Sequence, residues 1–249
     1  PLPCSKELLP VGPFTGTEEK GYLRVASSWL IDGIKQSGIS NIHVVIRAGK
    51  WDIPQYYQGG SQFGVNFVYH VTENLEGPPF SIDAAYPFCM DKNVMMGFPD
   101  MLFYPMDALK RIRVKFEEEK DADVVLGLFP EKEYLKWDMV ELAENSTIER
   151  FFIKDEAGSS LKYAWFAAIW RPGFTRFVHD YLKNYEQKSG TDCIQSKREL
   201  QIGNLFQQAL TSGLIVKGIK MDDVKCLDTG TITGYNRINA FLKDDRSNG

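Results

Sequence analysis

Asn93-Val94-Met95-Met96-Gly97-Phe98-Pro99-Asp100 is an apolar run too short for a helix, closed by glycine and proline, with one acidic side chain just beyond it. It reads as a short strand. In an open α/β sheet the ligand crevice lies outside the carboxyl ends of the strands. A strand that delivers an aspartate at that end therefore nominates Asp100 as a metal ligand.

Outward from this strand, helical and extended patterns alternate. Tyr22, Leu23, Val25, Ala26, Trp29, Leu30 and Ile34 recur at helical spacing, with Gly38 as a stop signal, and predict a helix over 22–36. The β-branched run at 42–46 predicts a strand, followed by a short helix at 51–57, a strand at 67–71 and a helix at 80–89. Beyond Asp100 come an amphipathic helix over 106–119 and a strand over 124–129. Helix and strand in alternation with short links are the signature of βαβ units.

The second half changes texture. Strands at 137–142, 148–153 and 163–170 are joined by polar loops with no room for helices, which predicts antiparallel pairing. Helices return at 174–185 and 199–211, then a strand at 214–219, an extended stretch ending at Asp228, and a helix over 233–242. Residues 1–16, with four prolines, read as irregular, and the polar residues 243–249 as a disordered tail. The expected fold is a Rossmann-like α/β domain spanning residues 1–242, with a mostly parallel, mixed sheet and helices on both faces.

Composition removes several classes of function. A net charge of -4 argues against a nucleic-acid polymer as partner, because such binding rests on clustered lysine and arginine. The four cysteines show no metal-ligand spacing, the three histidines are scattered, and a chain of 249 residues needs no disulfide framework. No apolar run approaches the roughly 18 residues that would span a bilayer. A cytoplasmic protein with no membrane partner is expected.

Asp228 repeats the setting of Asp100, since a short apolar strand leads to an aspartate and then to residues that turn the chain. Mg²⁺ prefers oxygen ligands and commonly takes one or two carboxylates plus phosphate oxygens. Two such strands side by side would let both acids hold one Mg²⁺. Alternatively Asp228, ahead of Thr229-Gly230-Thr231, caps the helix that follows.

Taken together, several stretches resemble the sugar-1-phosphate nucleotidyltransferases, the family of glucose-1-phosphate thymidylyl- and uridylyltransferases. Ser5-Lys6-Glu7-Leu8-Leu9-Pro10-Val11 resembles the family's lysine segment. Gly97-Phe98-Pro99-Asp100 and Leu227-Asp228-Thr229-Gly230-Thr231 resemble its two metal aspartates. Ile153-Lys154-Asp155 stands where the family carries Glu-Lys-Pro, and Tyr69-His70-Val71-Thr72-Glu73 with Gly77 stands where it contacts the base.

The resemblance runs from Pro1 to about Leu242 in the family's order. It implies Mg²⁺-dependent reaction of a nucleoside triphosphate, dTTP or UTP, with a sugar 1-phosphate, on a glycosyltransferase-A-like fold and with a homo-oligomer possible. Lys6 would be catalytic, Asp100 and Asp228 would hold the metal, and Lys154 would grip the sugar phosphate. Tyr163, in Tyr163-Ala164-Trp165-Phe166-Ala167, would form a wall of the sugar pocket. Thr72, Gly77 and Ser81 would meet the nucleotide, although Ser81 and Asp83 also read as helix-capping residues.

Three features depart from the family pattern. Its glycine-rich phosphate loop and the strand before it have no counterpart in the sequence, so either native residues precede Pro1 or the chain is a catalytically silent nucleotide-sugar-binding module; the first is favoured. Ile153 stands where a glutamate often binds a sugar hydroxyl, and Thr72 where pyrimidine-specific members often carry glutamine. A glycosyltransferase would instead present Asp-x-Asp after the strand; Asp121-Ala122-Asp123 has that spacing but opens a strand at the other end of the sheet.

Overall fold

The structure, a computed structural model, describes residues 4–15, 22–73, 77–189 and 199–247. The strands are β1 (Pro10–Thr15), β2 (Tyr22–Val25), β3 (Asn41–Arg47), β4 (Asn66–Thr72), β5 (Val94–Gly97), β6 (Met101–Tyr104), β7 (Val124–Pro130), β8 (Asp138–Leu142), β9 (Ile148–Ile153), β10 (Tyr163–Trp170), β11 (Val216–Lys220) and β12 (Lys225–Asp228). The α-helices are α1 (Ser28–Gln36), α2 (Asp52–Tyr57), α3 (Pro78–Asp83), α4 (Tyr86–Cys89), α5 (Ala108–Glu118), α6 (Pro172–Ser189), α7 (Ile202–Thr211) and α8 (Ile232–Ser247).

A six-stranded sheet orders β11-β7-β10-β8-β9, with β5 also paired to β10. Only β11 and β7 run parallel within it; the pairs involving β5, β8, β9 and β10 are antiparallel. Beside it lie the parallel pair β3·β4 and the antiparallel pairs β12·β6 and β1·β2. The expected α/β architecture is present, with a mixed sheet.

Period-two alternation explains the layers. On β7, Val124, Leu126 and Leu128 face a core shared with Phe174, Val178 and Leu182 of α6 and Leu205, Phe206 and Ala209 of α7. Val125 and Phe129 face the other way, onto Leu109, Ile112 and Phe116 of α5 and Ile34 of α1. A strand buried on both faces has no polar side to show, which is why it reads as a continuous apolar run.

β10 explains the cleft. One long edge pairs with β7, while the other is shared: Tyr163 and Ala164 lie opposite Val140 and Met139 of β8, and residues from Ala167 to Trp170 lie opposite β5. Between them, at Trp165 and Phe166, β10 changes partner from β8 to β5. Trp165, at that fork, lines a cavity.

Several expected elements differ. Residues 22–25 form β2 instead of the first turn of a helix, because β1 offers them an antiparallel partner and Ala26-Ser27 turns the chain before α1. The same pairing makes residues 10–15 a strand within the stretch read as irregular. Met101–Tyr104 adds an unforeseen strand, held by β12. The expected helix at 80–89 is divided into α3 and α4, since Pro87 in the first turn of α4 would clash with a carbonyl one turn back in a continuous helix. α8 continues to Ser247, into the stretch expected to be disordered; no glycine or proline intervenes before Gly249, and polarity alone does not end a helix.

Candidate functional site

Lys6 stands on a 3-10 turn, Lys6–Leu8, whose neighbours are tied down on every side. The Ser5 backbone N–H and hydroxyl both donate to the Asp52 carboxylate, at 2.6 and 2.9 Å. Lys50 donates to Glu7 at 2.7 Å, and the Ser27 hydroxyl and backbone N–H hold the Glu7 carbonyl at 2.7 and 3.0 Å. Leu8 is buried against Val25, Ile31 and Tyr57. With its flanks fixed, Lys6 directs its ammonium to Asp100, donating a hydrogen bond to Oδ2. Burial opposes the charge on Lys6, but the hydrogen bond to Asp100 and the charges of Asp100, Glu7 and Asp228 outweigh it and raise its pKa.

Asp228 reaches the same place from the other side. β12 runs antiparallel to β6, pairing Asp228 with Met101, the residue after Asp100. The Thr229 backbone N–H and hydroxyl both donate to the Asp100 carbonyl, at 2.9 and 2.8 Å, which clamps the two strand ends together. Asp228 Oδ1 accepts from the Gly230 N–H at 2.7 Å, closing a turn ahead of α8. The helix itself is capped by Thr231, whose hydroxyl accepts from the Gly234 N–H at 3.0 Å, so the expected capping role of Asp228 is not what the structure shows.

Asp100 and Asp228 line a cavity of about 540 Å³ together with Lys154, Phe98, Trp137 and Arg237. Lys154 follows β9 with a backbone φ of 50°, in the left-handed region where a side chain is disfavoured. Trp165, at the fork, also lines the cavity, as do Pro78, Gln201 and Ile202.

Asp138 was missed in the sequence. It opens β8, and one further step along the β8–β10 register sets it opposite Trp165, while β9 sets Ile153 beside it. The Asp138 Oδ1 and the Trp165 Nε1 are both buried and neither has a hydrogen-bond partner among the described residues. Burial pushes the Asp138 carboxyl up to about 6, against the pull of the Lys154 charge and the nearby Trp165 N–H. Strand parity carried the signal: Asp138 shares a face with Val140 and Leu142, and Val140 is core.

The remaining expected residues divide. Gly77 has a φ of 133°, and a Cβ there would come within 2.6 Å of the Leu200 carbonyl, so close backbone approach requires glycine. Its neighbour Pro78 lines the cavity; Thr72 and Ser81 do not. Tyr163 also lies outside the lining, because its hydroxyl donates to Asp222 at 2.9 Å; Trp165 is the residue of that strand that forms the wall. Asp83 bonds His179 at 2.8 Å. Asp121 pairs with Lys217 and Asp123 accepts from the Ile215 N–H, which leaves Asp121-Ala122-Asp123 with a structural role at the far end.

No group of three or more metal-ligating side chains gathers among the described residues. What does gather is two carboxylates and one ammonium. The Lys6 ammonium bonds Asp100 and feels the charge of Asp228, so one cation, the lysine's own, already stands against these carboxylates. An all-oxygen donor set of two acids fits Mg²⁺, which commonly completes its shell with water and phosphate oxygens.

The fold is similar to that of solved structures described as sugar-1-phosphate nucleotidyltransferases. A Bacillus anthracis protein assigned as a glucose-1-phosphate thymidylyltransferase, in complex with sucrose, superposes with a TM-score of 0.76 at 19% identity, over 97% of this chain and 87% of that one. UDP-glucose pyrophosphorylase gives a TM-score of 0.71 at 14% identity in complex with UDP-glucose, over 89% and 88% of the two chains. Its apo form gives 0.73 at 14% identity, over 97% and 91%. No family model and no curated protein sequence matches the chain. At these identities the likeness shows the fold alone.

Proposed function

We propose that the protein transfers a nucleotidyl group from a nucleoside triphosphate, dTTP or UTP favoured, to a sugar 1-phosphate, giving a nucleotide sugar and pyrophosphate. The observation that carries this is the contact of Lys6 with Asp100 near Asp228, where both aspartates line a cavity together with Lys154. The solved structures of this fold are described as thymidylyltransferase and pyrophosphorylase, one holding UDP-glucose, which supports the same reading.

The nucleophile is a phosphate oxygen of the sugar 1-phosphate, already anionic near neutral pH, and it attacks the α-phosphorus as pyrophosphate leaves. No general base is needed, so the site must supply position and positive charge. Lys6 would steady the charge that grows on the transferring phosphoryl group, and Lys154 would hold the sugar phosphate in line. Bound at Asp100 and Asp228, Mg²⁺ would neutralise phosphate oxygens and so reduce repulsion between the two anions. Gly77, next to Pro78 of the cavity lining, would stand on the nucleotide side, and Thr72 and Ser81, which lie outside that lining, would meet the nucleotide only beyond the cavity.

The test follows pyrophosphate release with Mg²⁺, dTTP or UTP, and glucose 1-phosphate. Asp228→Asn should lose at least ~100-fold in kcat, as removal of one transition-state electrostatic partner usually does. Full activity in Asp100→Asn would overturn the metal assignment. Binding of nucleotide sugar without turnover would favour a silent module instead.

A further inference from the structure

The Asp138 and Trp165 pair is chemically unusual for a strand interior. One group is an acceptor, the other a donor; Asp138 Oδ1 and Trp165 Nε1 are both buried, and among the described residues neither makes a hydrogen bond of good geometry, although the Trp165 N–H lies near enough to favour the Asp138 charge. Trp165 is only 4% exposed, so solvent does not satisfy its N–H at the general surface. Leaving such groups unpaired costs the full desolvation penalty of each. Both residues line the cavity that also holds Lys154.

Among the groups of a sugar phosphate, a hydroxyl is the one that matches an acceptor beside a donor. A hydroxyl donates its proton to a carboxylate oxygen while accepting from an N–H. A phosphate would be repelled by Asp138, and an apolar group would leave both partners unsatisfied. We propose that Asp138 and Trp165 together hold a hydroxyl on the sugar portion of the substrate, and so select hydroxylated sugars over their deoxy counterparts.

This rests on the nucleotidyltransferase reading but adds the residues that choose among sugars. Ile153, the neighbour of Asp138 across β8 and β9, has no polar group to offer, so the acidic contact comes from the adjacent strand. Gly203 of α7 leaves room for it, since a Cβ there would lie 2.5 Å from Asp138 Oδ2. The helix start is thereby packed against the carboxylate, which restricts its rotation.

The experiment measures equilibrium binding of UDP, dTDP, UDP-glucose, dTDP-glucose and the monodeoxyglucose derivatives of both nucleotides, with thermal melting as a folding control. In the unsubstituted protein, one monodeoxy position should weaken binding by at least tenfold relative to the parent nucleotide sugar, because the buried pair is then left unmatched. Asp138→Asn and Trp165→Phe should each shrink that discrimination at least threefold while leaving UDP and dTDP binding unchanged. Unchanged discrimination in both variants, or no sensitive deoxy position, overturns the hydroxyl assignment and leaves nucleotidyl transfer standing. Failure of the unsubstituted protein to bind any of these nucleotides overturns both.

Discussion

Lys154 combines an unfavourable backbone with a place in the cavity lining. Its φ of 50° is costly for a residue with a Cβ and easy for glycine. Lys154→Gly should therefore be more stable than Lys154→Ala by about 1 kcal/mol in denaturant unfolding, while both variants raise the KM for the sugar 1-phosphate by about tenfold, as loss of a charge-assisted contact implies. Equal stabilities would show that the strained backbone is not what sets the cost. Asp138 carries a comparable burden. Its carboxyl is pushed up to about 6 by burial, from an ordinary value near 3.8. Because the folded state binds this proton more tightly than the unfolded chain, stability from this group falls as pH rises from about 4 to 6 and stays reduced above that window. A displacement of about two pH units corresponds to roughly 3 kcal/mol. Asp138→Asn should thus melt at higher temperature than the unsubstituted protein at pH 7 to 8, with the gap closing toward pH 4. At this scale the two metal-candidate aspartates stood out because each ends a readable strand, whereas Lys6, in a stretch read as irregular, and Lys154 were nominated by the family resemblance alone. Asp138 was not, since an acid at a strand's first position also reads as a solvated end.

At the level of elements, close packing sets the site. α7 begins at Ile202, and its second residue, Gly203, is pressed between Asp138 and Ile153, whose Cγ1 lies 2.9 Å from a Cβ built there. Alanine is the better helix former by about 1 kcal/mol, yet Gly203→Ala should lower both the melting temperature and nucleotide-sugar affinity, because the added methyl must displace Asp138. A stabilised variant with intact binding would show that the helix start yields freely. β9 and β10 were readable to the residue from apolar runs of strand length. β2 and β6 were not, for a common reason. Tyr22–Val25 merges by spacing into the amphipathic α1, and Met101–Tyr104 follows Asp100 without a turn signal, so only the tertiary partners β1 and β12 reveal them as extended. The fork of β10 between β8 and β5 was equally hidden, since register across distant strands leaves no local mark.

Over the whole molecule, burial is uneven. β7 is covered by helices on both faces, and Val124, Val125, Leu126 and Leu128 have no exposed surface. β3 and β4 form a separate pair, with Val68 38% and Val71 49% exposed. Amide hydrogen exchange should therefore be slowest in β7 and β10 and faster by orders of magnitude in β3 and β4, because local opening costs less where fewer apolar contacts close over the backbone. Uniform protection would show one cooperative unit. The free thiols Cys4, Cys89 and Cys226 play no part in cross-linking this architecture.

The small turn at Asp228 has a consequence for ion choice. Because Oδ1 already accepts from the Gly230 N–H, a two-oxygen grip on a cation would have to share that oxygen's second lone pair and pull against a 2.7 Å bond, so coordination through the other oxygen alone is favoured. Single-oxygen coordination suits a small ion of strict octahedral preference, whereas calcium tolerates, and often uses, two-oxygen grips on an acid and a larger shell. Calorimetric competition in the presence of nucleotide should accordingly show calcium to be a poor substitute, and Gly230→Pro, which deletes the N–H, should narrow the gap between the two ions.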